Sequence, residues 1–540
     1  MVKRGKIRNF FASVFGWTEQ HPWLFACLGT SVFLIFGIVA LCTHTVTMNE
    51  IAAWEGSKNF AFDNPRVDVN SPIFWTALIS LFSKNGCDIH IMAFITTALT
   101  AVAVFLFFRF VKLKNPVKLA TVFSAAFLYF LPISATNYGL LPLAIVFIML
   151  SFKSRFRHPV VYGLALSFLT LISENWLFVS TILIFDFVIG FCFAPCAKKV
   201  AREKALKKAN HKDAATSIKQ IKLSEKRSKD TRAMFIWIVP ALALIAAAIF
   251  VVFAKYPLGD TYLSVKEAEF YNMVDRALYG TAFPFFEITA IIIALTLFVR
   301  DLRAFFYYIL AIAATACSSL IFSIDGVYSL NYFVSFIMID LLIYFIYVND
   351  PKKPLKWQVS LSKLTNKIQL IKFINSIPNY VDVVFALPII LTIPHTIGSL
   401  VDEANGDNNS VKTVITEVLK EEGTIAVVTD NISEQFFYPF KYELPARSKI
   451  IRIEDGEELV YKYGKVESVK NDVAEKNLKD ITKNYDHVYY FGFVGTCPTA
   501  APVYGEVVPE GVPMTRFSPT TQIVRLAGTS YPDIVGLKLK

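Results

Sequence analysis

The chain has 540 residues, 54% of them hydrophobic and 15% aromatic, with a mean hydropathy of +0.48. Soluble domains sit near about 45–50% apolar, and here the excess comes in blocks of about 20 residues, enough to cross a hydrocarbon core of about 30 Å; this excludes an ordinary soluble protein. The net charge of +11 is no sign of nucleic-acid binding, because 13 Lys and Arg crowd into residues 198–232 between two apolar runs, without the basic and aromatic interleaving of a nucleic-acid groove.

The N-terminal "MVKRGKIRNF" is basic, but the apolar run after it begins only near Trp23, is membrane-length and lacks a small-residue cleavage site. It is expected to be an uncleaved first helix. Further apolar runs follow, giving 23–44, 88–110, 118–136, 139–153, 158–175, 176–196, 233–254, 283–299, 304–324, 328–348 and 379–399. The expected architecture is therefore a polytopic α-helical membrane protein of about 11 transmembrane helices.

Basic residues set the orientation. Lys3, Arg4, Lys6 and Arg8 precede the first run. Arg109, Lys112, Lys114 and Lys118 lie between the second and third, and Lys153, Arg155 and Arg157 between the fourth and fifth. The loop 197–232 follows the sixth, Arg300 and Arg303 the eighth, and Lys352, Lys353 and Lys356 the tenth. All fall on one side if the N-terminus is cytoplasmic and eleven runs alternate. The opposite, extracytoplasmic side of an inner or plasma membrane then receives the loops 45–87 and 255–282 and everything after 399. Residues 1–399 form the transmembrane domain. Residues 400–540 form a small extracytoplasmic domain.

In the first outer loop, "TMNEIAAWEGSKNF" (47–60) places Glu50 against the end of the first run, with Glu55 and Lys58 one and two turns further on. "SPIFWTALISLF" (71–82) is apolar, opened by a Ser-Pro start signal and too short to span, so it is expected to lie along the membrane surface. Asp63 and Asp68 flank Pro65 as turn formers. In the second outer loop, "VKEAEFYNMVDR" carries charges at helical spacing. Glu174, Asp186, Glu287, Asp340 and Asp382 fall in or at the ends of apolar runs, where charge is costly and often marks a site or cavity; Asp186, Asp340 and Asp382 have no partner legible in the sequence. His395 ends the last run as a packing residue.

The C-terminal domain alternates element types. A helix ending on Gly423, strands at 424–430, 449–455 and 487–493, and a helix over 465–484 make a small α/β layer, with the Pro-, Gly- and Thr-rich tail 494–540 wrapping loosely. No phosphate-binding or nucleophile motif occurs there. Of the seven cysteines, Cys192 and Cys196 lack the second pair a zinc site needs, while Cys87 and Cys497 both fall outside and could bond. No tightly bound metal or cofactor is expected, only a loosely held divalent cation at most.

An apolar helix, "MNE", a polar span with "DNPRVDVNSP", an interfacial helix and a second membrane helix follow in that order. This resembles the GT-C family of polytopic glycosyltransferases, in particular the protein mannosyltransferase and aminoarabinose-transferase type. Asn49-Glu50 stands at the family's acidic pair and Asn70-Ser71-Pro72 at its second motif, although the first acid is Asn here and the motif's His is absent. As architecture the resemblance covers most of the chain; as motif it covers about residues 45–110. It implies transfer of a sugar from a polyprenyl-phosphate donor to a glycan, lipid or protein acceptor on the extracytoplasmic face, with membrane lipids around the bundle and no nucleic acid as partner.

Such chemistry needs a carboxylate to take the acceptor hydroxyl's proton as it attacks the anomeric carbon, and cations to stabilise the leaving phosphate. Glu50 is the expected base. Asn49, Glu55, Lys58, Arg66, Lys266 and Arg276 are the expected substrate-binding residues, the cations among them suited to phosphate contacts. Two other readings stay open: a lipid or polysaccharide transporter or flippase, which the intramembrane acids suit, and a non-catalytic membrane scaffold, which Asn49 suits.

Overall fold

An apolar run that buries its backbone must satisfy every interior N–H and C=O within itself, and a helix does so. The computed structural model describes residues 16–43, 46, 48–61, 72–124, 127, 137–172, 176–177, 179–190, 237–251, 285–322, 329–350, 380–391, 420–429, 441–442, 444–452, 458–462, 465–469, 483–493, 514–517 and 534–538. Within them, each apolar run meets a helix. The helices are α1 (Pro22–Thr43), α2 (Met48–Lys58), α3 (Ile73–Ser83), α4 (Ile91–Phe110), α5 (Asn115–Val122), α6 (Leu141–Phe152), α7 (Pro159–Ile172), α8 (Val179–Gly190), α9 (Trp237–Val251), α10 (Phe285–Arg300), α11 (Leu302–Phe322), α12 (Ser329–Asn349) and α13 (Tyr380–Leu391). Two of them, over Pro22–Cys42 and Ile91–Phe110, are long and apolar enough to cross a membrane; others, such as Leu141–Phe152 and Pro159–Ile172, are apolar but shorter.

These two long helices pack along each other, with Phe25 edge-on to Phe108 at 4.9 Å. The approach is close because Gly29 leaves room for the Phe108 ring, which a Cβ would meet at 2.5 Å. The other side of α1 leaves Leu24, Leu28, Ile35 and Ile38 exposed, an apolar stripe of the sort water disfavours. α6 sits against α4 and α7, and α12 against α6, α11 and α13. From Ile337 to Ile346 every side chain of α12 is buried, as expected of a helix apolar all round and enclosed on all sides.

The first loop folds into α2 and α3, which pack on each other, and α3 also rests on α7. α3 begins directly after Pro72 and buries Trp75, Thr76, Ile79, Ser80 and Ser83, a stripe at helical spacing, while Leu81 on the other side is 63% exposed. The hydroxyl of Ser57 on α2 donates to that of Ser83 on α3 at 2.7 Å and fixes their contact.

The C-terminal residues form a seven-stranded sheet in the order β4-β3-β2-β1-β5-β7-β6. The strands are β1 (Ile425–Thr429), β2 (Ser448–Arg452), β3 (Glu458–Lys462), β4 (Lys465–Val469), β5 (His487–Phe493), β6 (Met514–Phe517) and β7 (Ile534–Lys538). β1, wholly buried, is central and parallel to β2 and β5, with Val427 opposite Ile450 on one side and Tyr489 on the other. β3, β4, β6 and β7 extend this core with antiparallel pairings. Gly423 turns into β1 with φ +109°, where a side chain would be strained and would meet Asp486.

Two expectations for this domain are corrected. Residues 465–469 are strand β4 and not the start of a helix, because "KVESV" alternates apolar and polar and pairs with β3. The tail is not merely loose: β6 and β7 lie within it, and β7 pairs with β5. Cys87 is a free, exposed thiol, and Cys497, its possible partner, lies outside the described residues.

Packing at Gly139 yields a direct test. A Cβ there would meet Thr96 Cβ at 2.5 Å and the Thr96 backbone at 3.1 Å. Gly139→Ala should therefore destabilise the protein by about 1–3 kcal/mol. Thermal unfolding in detergent should show this loss, whereas Gly16→Ala, with nothing within 4 Å of its Cβ, leaves the transition in place.

Candidate functional site

Glu50 sits in the first turn of α2, where the helix's exposed N–H groups favour a carboxylate, and it is buried at 1% exposure. The sequence leaves open whether it is a solvated loop acid; the structure places it inside. Asn49 precedes it in the same turn. Trp75 of α3 and Trp54 of α2 are also buried in this corner of the fold.

One turn along α2, Glu55 and Lys58 form an ion pair at 2.7 Å. Glu55 also accepts a hydrogen bond from the hydroxyl of Tyr442, which precedes β2, and β3 packs on α2. This face of α2 is thus a contact with the C-terminal domain. Position on the helix could suggest Glu55, but nothing near Tyr442 in the sequence signals the pairing. Lys84, just after α3, closes the same corner by donating to the carbonyl of Phe60. At the foot of α4, burial works to raise the Asp88 carboxyl, but the backbone N–H of His90 (2.8 Å) and its ring outweigh this and hold it below its ordinary value. Of the other expected substrate-binding residues, Arg66, Lys266 and Arg276 lie outside the described residues.

A second polar centre lies among the segments that the charge pattern assigns to the opposite side. Arg155, in the turn between α6 and α7, is buried at 6% and reaches Asp350 at 3.0 Å and Asp186 of α8 at 3.7 Å. Arg303, in the first turn of α11, reaches the same Asp350 carboxylate at 3.0 Å, its carbonyl at 2.7 Å and Asp186 at 3.8 Å. Tyr307 donates to Asp186. Phe152 and Phe156 flank the Arg155 guanidinium at 3.9 and 4.6 Å, giving it an aromatic surface as well as charge partners. Asp301 forms the link from α10 to α11 and caps α11, accepting from the backbone N–H groups of Arg303 and Ala304 at 3.1 Å each.

Neighbouring contacts extend this centre. The Asn115 amide donates to Thr18 at 2.7 Å, Asn349 donates to the Lys112 carbonyl at 3.1 Å, and Asp382 takes both Lys114 and Tyr344. Asp186 and Asp382, partnerless in the sequence, are therefore paired. Asp340 differs: it is buried in the middle of α12, and neither of its carboxylate oxygens makes a hydrogen bond. Glu174 and His395 lie outside the described residues, as does the side chain of Glu287. No group of three or more His, Cys, Asp or Glu suited to a metal occurs among the described residues.

Two variants probe these contacts. Arg303→Met leaves two acids facing one Arg in a buried setting, and should cost about 3–5 kcal/mol of stability in thermal unfolding. Tyr442→Phe removes a hydrogen bond to a charged group worth about 1.5–3 kcal/mol, so amide exchange around 441–452 should speed by roughly tenfold or more while β1 is unchanged. Comparison with protein-family models, curated proteins and solved structures finds no match.

Proposed function

We propose that the chain is a polytopic membrane glycosyltransferase that takes a sugar from a polyprenyl-phosphate donor and transfers it on the extracytoplasmic face, with Glu50 as the general base. The observation that carries this reading is the buried Glu50 carboxylate, at the head of a helix that follows directly on a membrane-length helix. A carboxylate screened from water keeps its strength toward a hydroxyl it must deprotonate. Contacts at both ends of the fold support the topology. Tyr442 and Glu55 put the C-terminal domain beside the first loop, as a shared outer side requires. Thr18, Lys112, Arg155, Arg303 and Asp350 gather at the loops a shared cytoplasmic side requires.

In the reaction, the acceptor oxygen attacks the anomeric carbon, Glu50 takes the hydroxyl proton, and the C–O bond to the carrier phosphate breaks, inverting the configuration. Lys58 is held by Glu55 at the rim of this corner. Arg66, Lys266 and Arg276 complete the proposed set of phosphate-binding cations.

A transporter or flippase is the second reading, favoured by the unpaired intramembrane acid Asp340. One substitution separates the two. In membranes supplied with a polyprenyl-phosphate sugar, Glu50→Gln should lower transfer by at least about a hundredfold, while Glu55→Gln retains most of it. Transfer that persists unchanged in Glu50→Gln overturns the role of Glu50. Loss of lipid-linked sugar movement with transfer intact favours the transporter.

A further inference from the structure

Charged side chains inside this bundle are nearly all matched. Asp186 has Arg155, Arg303 and Tyr307; Asp382 has Lys114 and Tyr344; Asp350 has both arginines. Asp340 is the exception among them. It is 1% exposed and both of its oxygens lack a hydrogen bond. The hydroxyl of Tyr308, on α11, is the group that faces it, near enough to interact but outside ordinary hydrogen-bond geometry. α12 is 21 residues long, about 31 Å at 1.5 Å per residue, so Asp340 in its middle lies about 15 Å from Asp350 and from the ionic centre.

Among the described side chains, no cation faces this carboxylate from the helices packed on it. α6 contributes no titratable side chain, being "LPLAIVFIMLSF". α13 contributes Asp382, which is held by Lys114 and by Tyr344 of α12 itself. From α11, Arg303 and Tyr307 turn to Asp350 and Asp186, leaving Tyr308. An ionised carboxylate buried with neither a counter-ion nor a hydrogen bond is among the most costly arrangements a protein can hold. The smallest ligand that removes this cost is a proton.

We propose that Asp340 and Tyr308 form a reversible proton-binding site at the centre of the helical bundle. The proton resides on an Asp340 oxygen, and the Tyr308 hydroxyl is the adjacent group able to accept from the acid or donate to the carboxylate. Gain or loss of the proton changes the charge at the α11–α12 contact by one unit, in helices whose other ends carry Arg303 and Asp350. This site is independent of Glu50 and of whether the chain transfers sugar.

Infrared spectroscopy of the purified full-length protein in lipid tests it. Solvated carboxyls ionise near pH of about 4. At neutral pH the protein should still show the C=O stretch of a protonated carboxylic acid, shifted in D2O and lost reversibly as pH is raised further. The band should vanish in Asp340→Asn, persist in Glu50→Gln, and change in frequency and pH midpoint in Tyr308→Phe. That last variant assigns the band even where Asp340→Asn folds poorly. A wild-type protein with no such band at neutral pH overturns the proposal, as does a band that survives in folded Asp340→Asn or that no pH removes. A Tyr308→Phe protein with an unaltered band and midpoint removes Tyr308 from the site.

Discussion

Two arginines sharing one carboxylate hold the helical half of this molecule together. Arg155 comes from the α6–α7 turn and Arg303 from the start of α11, and both reach Asp350, the residue after α12, at 3.0 Å. Asp186 of α8 balances the charge from the other side. Four segments far apart in the chain are thereby brought to one place. The arrangement works because each member is compensated. Two positive and two negative groups, with Tyr307 and the Asp350 carbonyl as further hydrogen-bond partners, satisfy the charges that burial would otherwise make costly. It also fixes register. A guanidinium is a rigid fork, so α11 and α12 must present their ends together, which aligns Tyr308 with Asp340 further along the same pair of helices.

At the other end of the fold the logic is different. α2 and α3 are short, and nothing as charged as the arginine centre joins them. The Ser57–Ser83 hydrogen bond, the apolar side of α3 and the Lys84–Phe60 contact set their geometry. The C-terminal sheet then meets α2 through Tyr442 and β3. A contact made of single hydrogen bonds and apolar packing is easier to open than a fourfold charge cluster. Among the described contacts, charge pairs dominate the end that carries Arg155 and Arg303, and hydrogen bonds with apolar packing dominate the end that carries Glu50.

The apolar helices were legible in the sequence because their residues come in long apolar runs, although only two of the described helices are membrane-length. The central strands of the sheet were legible too, since "TIAVVTD", "KIIRIED" and "HVYYFGF" are short, β-branched or aromatic, and bounded by turn residues. β3, β4, β6 and β7 escaped because they are short strands of mixed composition flanking the parallel centre and stabilised by antiparallel pairing. The placement of Glu50 directly after the first long run was legible; the helix it opens and its burial were not, because burial depends on what α3 and the neighbouring helices bring to it. The partners of Asp186 were out of reach for the same reason. They lie 31, 117 and 121 positions away for Arg155, Arg303 and Tyr307, and no local rule connects them.

Asp340 shows the reverse case, where a local irregularity survives into the structure. A carboxylate within "SFIMIDLLIYF" breaks an otherwise apolar stretch, and folding does not bring it a counter-ion. Asp186 and Asp382 break their runs in the same way and are paired. The difference is one of position. Those two lie within reach of basic loops, where long arginine and lysine side chains extend to them. Asp340 lies about 15 Å deeper, further than an arginine or lysine anchored in those loops can reach, so the bundle must either exclude an acid there or use it in a form that needs no counter-ion. An acid with a phenol beside it, in a helix buried on every side, is the arrangement a buried proton site needs.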